Sequence, residues 1–385
     1  MNYESIIKEY GTPLYIFDTE KLNNRIKYIR DRIDKSINLC YAMKANPFLV
    51  SYMSDDISRI EVCSPGEYEI VKKNNIKEEM LVISGVNKEL KQIDEVIKTL
   101  NKEIITVESM HQFYMIKDLS KTYGKEVNLL IRLTSGNQFG VSLSELINII
   151  TSCQDEKLIK IKGIEYFSGT QKHSIKKISK ELTYLKETID MLDKEYNFKV
   201  LELEYGTGFP VFYFEGDEFE EDIFLSEFNN LLKEFKNIKI TLEIGRSLVA
   251  SCGEYLTSVV DTKKNDIGSF AILDGGIHQL VYYGSSLAMK TPVYEVSPKK
   301  GEGIESAWTL CGSLCSINDI IAKNVHVKNL EIGDTFIFKN AGAYSMTEGI
   351  SLFLSRDLPK VILIENSNVK VLRDRVETYH LNTSN

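Results

Sequence analysis

The chain has 385 residues, of which 43% are hydrophobic, enough for one large core or two ordinary ones. Its net charge of -8, with 47 basic and 55 acidic residues interspersed, offers neither the basic surface that nucleic acids need nor a polybasic stripe for membrane lipids. The chain lacks a signal-peptide pattern and any run near the ~20 apolar residues of a membrane span, so we expect a cytoplasmic protein without nucleic-acid or membrane partners.

Short apolar segments alternate with amphipathic helical segments through the first two thirds of the chain. About eight apolar segments lie between residues 39 and 245, and nearly all end in serine, glycine, threonine or a charged residue. The segments between them, such as residues 178–196, repeat apolar residues at helical spacing. This number of units in this length predicts a (β/α)8 barrel rather than an open doubly wound sheet, which usually has fewer strands.

The pattern changes after residue 255. The later segments are rich in β-branched and aromatic residues, and glycine, asparagine and aspartate turns join them. Residues 256–385 are therefore predicted to form a second, all-β domain.

The first predicted strand, "NLCYAMKANP" at residues 38–47, ends in Lys44. Its apolar run is typical of a strand buried on both faces, so a lysine at its end places an amine where the interior meets a cleft. A lysine at a strand end can also simply reach solvent, and Lys44 by itself leaves both interpretations open.

Two further strand ends carry residues suited to a charged ligand. "GTGF" at residues 206–209 follows the seventh strand, and "EIGR" at 243–246 ends the eighth. A Gly-Thr-Gly turn lets backbone N–H groups approach an anion, and Arg246 adds charge-assisted hydrogen bonds. The alternatives are an ordinary tight turn and a structural ion pair between Glu243 and Arg246. A phosphate cradle, a carboxylate and a lysine at one barrel mouth match the needs of pyridoxal phosphate.

The six cysteines are scattered without the density of a disulfide framework, so we expect reduced thiols. Only Cys311 and Cys315 lie close in sequence. A C-x3-C pair with no histidine nearby is a poor zinc signal, and no metal is expected.

Six motifs in this order resemble those of the fold-type III pyridoxal-phosphate decarboxylases, which include the diaminopimelate and ornithine decarboxylases. They are "YGTPLYIFD" at 10–18, "YAMKAN" at 41–46, "VCSPGE" at 62–67, "EIGR" at 243–246, "CGSLC" at 311–315 and "NAGAYS" at 340–345. The resemblance covers nearly the whole chain. It implies an alanine racemase-like TIM barrel over residues 20–255, followed by a C-terminal β-sandwich or β-barrel domain to which residues 1–19 contribute a strand.

Carried over by position, the resemblance makes Lys44 the Schiff-base lysine and Glu243 the partner of the pyridine nitrogen. Cys315 would be the thiol that faces the cofactor of the neighbouring subunit and returns a proton to Cα, which implies a homodimer with shared active sites. The other residues implied to surround the cofactor are Phe167, Thr170, Gly206, Thr207, Gly208, Gly245, Arg246 and Tyr344.

The chain departs from the family pattern at two positions. Phe167 stands where the family usually has a histidine that stacks on the cofactor ring; a phenyl face can also stack, and the alternative is ordinary strand core. Ser316 follows Cys315, where decarboxylases of basic amino acids carry an acidic residue for the distal amine. With Ser316 and Tyr344 as substrate-binding residues, basic amino acids are disfavoured substrates.

The segments "NQFG" at 137–140 and "LFLS" at 352–355 point the same way, and resemble a divergent branch of the family that acts in siderophore and antibiotic biosynthesis. We therefore expect a decarboxylase of an amino acid or an amino-acid conjugate, free or bound to a carrier protein. The alternatives are a diaminopimelate decarboxylase of lysine biosynthesis, an amino-acid racemase, which would not need "CGSLC", and a non-catalytic cofactor-binding homologue, which would be expected to have lost Lys44 or Cys315.

Overall fold

The computed structural model describes residues 1–99, 102–282 and 288–384. The chain divides into two compact units. The barrel unit comprises Ile26–Pro210 and Glu220–Leu248, and the sheet unit comprises Met1–Arg25, Val211–Phe219 and Val249–Asn385.

The chain begins with helix α1 (Tyr3–Tyr10) and strand β1 (Leu14–Asp18). Eight parallel strands then form a closed barrel. They are β2 (Asn38–Ala42), β3 (Ile57–Val62), β4 (Leu81–Ile83), β5 (Ile104–Val107), β6 (Val127–Arg132), β7 (Ile159–Phe167), β8 (Glu202–Gly206) and β9 (Lys239–Ile244). Because β9 pairs with β2, with Asn38 opposite Thr241 and Tyr41 opposite Ile244, the first and last strands close the ring. The predicted (β/α)8 barrel is confirmed.

Helices alternate with the barrel strands. They are α2 (Thr19–Arg32), α3 (Pro65–Lys73), α4 (Leu90–Thr99), α5 (Met110–Tyr123), α6 (Leu143–Ser152), α7 (Ile175–Tyr196), α8 (Glu221–Leu232) and α9 (Arg246–Val249). Serine starts several of them; Ser142, for example, caps α6 through a reciprocal bond with Glu145. Helix α7 buries a stripe of isoleucines and leucines at helical spacing, which explains its stability beside the barrel. None of the described helices combines the length and apolar content that crossing a bilayer requires.

The sheet unit contains a nine-stranded mixed sheet, in agreement with the predicted β domain. Besides β1, its strands are β10 (Gly253–Asn265), β11 (Gly268–Leu273), β12 (Tyr294–Ser297), β13 (Glu305–Cys311), β14 (Ile320–Lys328), β15 (Thr335–Phe338), β16 (Lys360–Glu365) and β17 (Asn368–Arg373). Strand β1 lies between β10 and β16, with Leu14 opposite Leu256 and Lys360. Apolar side chains from β1, β10, β15 and β16 pack into one buried core.

The barrel interior contains charged residues in place of a fully apolar filling. Near the strand N-termini, the Arg59 guanidinium bonds Glu202 and Glu204, and Thr241 donates to Glu202 at 3.0 Å. We call these four residues the Arg59 cluster. They are all buried, so the charged side chains at this end of the barrel are hydrogen-bonded to one another in the interior.

Candidate active site

Lys44 lies just beyond the end of the first barrel strand. Strand β2 ends at Ala42, and Lys44 sits in the short 3-10 turn Met43–Ala45 that follows. Its ammonium donates to Glu61 and, at 3.1 Å, to Glu243. The Lys44 side chain is 37% exposed, against 2% and 9% for the two carboxylates. The amine therefore remains accessible to a ligand while its anionic partners are held in the interior.

Three buried carboxylates, Glu61, Glu165 and Glu243, have oxygens within 4.8 Å of one another. With Lys44 they make up what we call the Lys44 cluster. The Lys44 ammonium forms ion pairs with two of these three carboxylates, Glu61 and Glu243. The sequence prediction included Lys44 and Glu243 but missed Glu61 and Glu165.

The carboxylates of this cluster differ in proton affinity. Burial and the negative charge of Glu61 raise the pKa of Glu243, against the opposing charge of Lys44. Burial likewise raises the pKa of Glu165 to about 7, although Arg132 opposes the shift. For Glu61, burial acts in the same direction, but Lys44 and two hydrogen-bonding neighbours outweigh it and lower the pKa. The cluster thus has both a firmly charged carboxylate and carboxyl groups that hold protons near neutral pH.

A second layer of charge surrounds Glu165. Arg132 lies 3.2 Å from Glu108 and 3.6 Å from Glu165, yet among the described residues the oxygens of both carboxylates have no hydrogen-bond partner. Lys88 is buried nearby and donates to the Gly85 carbonyl at 2.9 Å. The carboxyl groups of Glu61, Glu108, Glu165 and Glu243 thus interact with the cationic side chains of Lys44, Lys88 and Arg132.

The glycine turn after β8 packs closely against the end of β7. A Cβ on Gly206 would lie 2.4 Å from the Phe167 ring, so the phenyl group occupies the space of a side chain there. Gly208 has φ 57°, and a Cβ on it would lie 2.2 Å from the Gly169 carbonyl oxygen. Both positions therefore require glycine. Thr207 donates its N–H to the Glu243 carbonyl at 3.1 Å, which joins this turn to the carboxylate strand.

Arg246 opens α9 directly after Gly245. Its Nε donates to the Thr170 hydroxyl at 3.3 Å. The structure thus gathers the predicted residues of the barrel unit around the C-terminal ends of strands β2, β7, β8 and β9. They are Lys44, Phe167, Thr170, Gly206, Thr207, Gly208, Glu243, Gly245 and Arg246.

The remaining predicted residues belong to the sheet unit. Cys315 is exposed and Ser316 half-buried on the loop that follows β13. The buried carboxylate of Asp319 fixes this loop, accepting N–H bonds from Ile277 at 2.9 Å and Leu314 at 2.7 Å. Tyr344 has φ 62°, a conformation that a bulky residue adopts only where its surroundings impose it. The loop that follows β13 thus holds the Cys315 thiol in a fixed, solvent-accessible position.

The barrel residues fit a ligand with an aldehyde, a basic ring nitrogen and a phosphate. Lys44 offers an accessible amine, and Glu243 offers a buried carboxylate that already has a cationic neighbour in the Lys44 ammonium. The glycine turn, Thr170 and Arg246 offer a cradle in which a side chain at Gly206 or Gly208 has no room.

Comparison with known proteins agrees with this fit. The family "Pyridoxal-dependent decarboxylase, pyridoxal binding domain" matches residues 19–250, more than half of the chain. Among curated relatives, the diaminopimelate decarboxylase of Helicobacter pylori is 26% identical over 97% of this chain and 95% of its own length. The L-glutamyl-(BtrI acyl-carrier protein) decarboxylase of Niallia circulans is 24% identical over 96% of this chain and 92% of its own length.

A solved structure shows the same fold. The crystal structure of diaminopimelate decarboxylase from Helicobacter pylori complexed with L-lysine matches with a TM-score of 0.88. The match covers 99% of this chain and 98% of that chain at 24% sequence identity.

Proposed function

Because the chain belongs to the family of pyridoxal-dependent decarboxylases, we propose that it removes the α-carboxylate of an amino acid or amino-acid conjugate at the mouth of its barrel. The chain is a pyridoxal-phosphate-dependent decarboxylase, and residues 19–250 match the pyridoxal-binding domain. The observation that carries the proposal is Lys44 held between two buried carboxylates of different proton affinity. We propose residues 20–255 as the cofactor-binding domain and 256–385 as the domain that carries Cys315.

When bound, pyridoxal phosphate supplies an electron sink for the electron pair left by the departing carboxylate. Lys44 would provide the amine that anchors the cofactor covalently, and Glu61, which now accepts a hydrogen bond from it, would hold the free ammonium beside the site. Glu243 would stabilise a proton on the ring nitrogen through the negative charge of its ionised carboxylate, which in this structure lies 3.1 Å from the Lys44 ammonium. The turn at Gly206–Gly208, together with Thr170 and Arg246, would hold the phosphate, and Phe167, which packs against Gly206, would offer its phenyl face to the ring.

Cys315 returns a proton to the Cα atom of the product in this proposal. Its thiol is exposed on a loop fixed by Asp319. We propose that this loop completes the active site of a second copy of the chain, in a homodimer with two shared sites, and that Tyr344 adds to the phosphate contacts.

The substrate is proposed to have a neutral or acidic side chain larger than that of lysine. The loop of residues 311–319 has Asp319 as its one carboxylate, and both Asp319 oxygens already accept backbone N–H bonds. Ser316 offers no charge, so a desolvated distal ammonium would have no countercharge from this loop. The carrier-bound glutamyl substrate in the name of the Niallia circulans relative supports this choice. The second candidate is diaminopimelate, named for the Helicobacter pylori relative.

The substrate proposal is tested by carbon dioxide release from a panel of free and conjugated amino acids. We expect lysine, ornithine and meso-diaminopimelate to be poor substrates, and Ser316→Glu to improve their use relative to the native substrate. Asn318→Glu, which adds the same charge at an exposed position two residues away, is the matched control and should not. Turnover of diaminopimelate at a kcat/KM of about 10⁴ M⁻¹s⁻¹ or more, an ordinary enzyme value, would favour the second candidate.

The lysine assignment is tested by borohydride reduction of the protein in the presence of pyridoxal phosphate. The label should appear on Lys44 when peptides are analysed by mass spectrometry. A Lys44→Ala protein that still forms the reduced adduct would contradict the assignment.

The shared-site proposal is tested by subunit mixing. Inactive Lys44→Ala and inactive Cys315→Ala proteins, when exchanged, should recover about a quarter of the wild-type activity, because half of the dimers are mixed and each has one intact site. No recovery after verified exchange would place the thiol and the lysine of one site on the same chain.

A further inference from the structure

Lys172 is a buried lysine that neither the sequence patterns nor the proposed chemistry uses. Its side chain is 2% exposed, although it follows the loop of residues 168–171 at the end of β7. Its ammonium bonds Glu181 of α7 at 2.8 Å and the Tyr205 hydroxyl at 3.1 Å. A buried charge needs such partners, and their position shows which part of the barrel the lysine serves.

Lys172 contacts both glycines of the turn that follows β8. Its ammonium donates to the Gly206 carbonyl at 3.3 Å, and its backbone N–H donates to the Gly208 carbonyl at 2.9 Å. A Cβ on Gly208 would lie 3.0 Å from the Lys172 Cε atom and 2.2 Å from the Gly169 carbonyl oxygen. One residue therefore ties the end of β7 to the turn after β8 at the point where the two backbones nearly touch.

Lys172 and Glu181 form an ion pair whose positive and negative groups lie on different sides. The ammonium lies against the turn, and Glu181, which also accepts from Ser168 at 2.7 Å and from Tyr205 at 2.7 Å, lies on the helix side. The pair thus presents its positive end to the turn. Both glycine carbonyls are held toward Lys172, so their negative ends are turned away from an anion that binds to the turn's other side.

We propose that Lys172 is the positioning residue for the phosphate of pyridoxal phosphate. It holds residues 168–171 and Gly206–Gly208 in the arrangement that forms the phosphate cradle, and its charge favours an anion there. This inference rests on the proposed function, because the cradle is part of the proposed cofactor site.

The test compares two aldehydes that differ only in the phosphate. Apoprotein is titrated with pyridoxal phosphate and with pyridoxal, and the absorbance of the adduct with Lys44 gives an affinity for each. In Lys172→Met the affinity for pyridoxal phosphate should fall about 10- to 100-fold, because the charge behind the turn and its hydrogen bond to the Gly206 carbonyl are both lost, while the affinity for pyridoxal stays unchanged.

Lys172→Met leaves the Glu181 carboxylate without its cation, so the double variant Lys172→Met/Glu181→Gln guards against a loss of folding. It should show the same selective loss. Lys176→Met, an equal charge change at an exposed position on α7, is the matched control and should alter neither affinity.

Equal losses for both aldehydes in the double variant, or no loss for either, would overturn the role of Lys172. If the wild-type protein forms an adduct with neither aldehyde, the proposed function fails instead.

Discussion

Two charged clusters occupy the interior of the same barrel, and they differ in how well their charges are satisfied. In the Arg59 cluster, one guanidinium bonds Glu204 at 3.1 Å and Glu202 at 3.1 Å, and Thr241 adds a further bond. In the Lys44 cluster, the oxygens of Glu165 have no hydrogen-bond partner among the described residues, and the lysine is partly exposed. Similar residue types thus form a fully hydrogen-bonded network near the strand N-termini and a network with unsatisfied acceptors near the strand C-termini.

The difference in hydrogen bonding between the two clusters indicates that one stabilises the fold and the other serves the reaction. A buried network that is fully bonded resists change, because removing one member strands the others. A cluster with unsatisfied acceptors keeps a capacity to bind protons or a cationic group. The comparison predicts that loss of Arg59 chiefly affects folding, that loss of the Glu243 carboxylate chiefly affects the reaction, and that loss of the unsatisfied Glu165 charge stabilises the fold.

The largest effect is expected from Arg59→Met. It leaves the buried carboxylates of Glu202 and Glu204 without their guanidinium, so the free energy of unfolding should fall by about 3–5 kcal/mol in urea titrations. Lys239→Met is the control, because Lys239 is 48% exposed and lies 3.7 Å from Glu202; its loss should cost less than about 1 kcal/mol. A small loss of stability in Arg59→Met would show that the Arg59 cluster is not a stabilising network.

A somewhat smaller effect, on the reaction, is expected from Glu243→Gln. The amide cannot hold the proton of the ring nitrogen, so kcat should fall about 10²- to 10³-fold, or about 2.7–4 kcal/mol in activation free energy. The unfolding free energy should change much less than in Arg59→Met. Glu187→Gln, at an exposed position of α7, provides the control. Unchanged turnover in Glu243→Gln would reduce Glu243 to a structural partner of Lys44.

The smallest effect is expected from Glu165→Gln, and it depends on pH. The pKa of Glu165 is raised from 4.5 to about 7, so the folded protein binds this proton more tightly than the unfolded chain. Stability from this group is present below about pH 4.5 and is lost as the pH rises to about 7. At pH 8 the variant should therefore be more stable than wild type by about 1–3 kcal/mol.

Measuring the unfolding free energy of Glu165→Gln and wild type at several pH values provides an internal control. Below pH 5 the difference between Glu165→Gln and wild type should shrink, and Glu187→Gln should follow wild type throughout. A variant that is less stable than wild type at pH 8 would contradict the conclusion that burial raises the pKa of Glu165 and makes its charged form unfavourable.

The sequence predicted the barrel and the residues at its strand ends because both follow from local patterns. Lys44 and Glu243 stand out as charged residues beside apolar runs, and the Gly206–Gly208 turn is a short motif. Glu61 and Glu165 could have been found by the same reasoning. Both are acidic residues inside short apolar strands, and side chains alternate along a strand, so Arg59 and Glu61 must share the interior face of β3.

Other features could not be predicted in this way. Lys172 lies in a loop, where no periodicity states which side chains are buried, and its bonds to Gly206 and Gly208 depend on the packing of two strands. Asp319 looks like an ordinary turn residue until its carboxylate meets the N–H groups of Ile277 and Leu314. Helix α1 also falls outside the predicted pattern, which began with the first strand.

The pairing of β2 with β9 has a consequence for the order of events during synthesis. Lys44 and Glu243 are separated by 199 positions, and only closure of the ring brings them together. A nascent chain in which β9 has not yet emerged from the ribosome has Lys44 and Glu61 but neither Glu243 nor Arg246. Bringing segments this distant in sequence together costs chain entropy, so the barrel closes late in folding. Cofactor binding should therefore follow closure of the barrel during biosynthesis and should not guide the earlier folding steps.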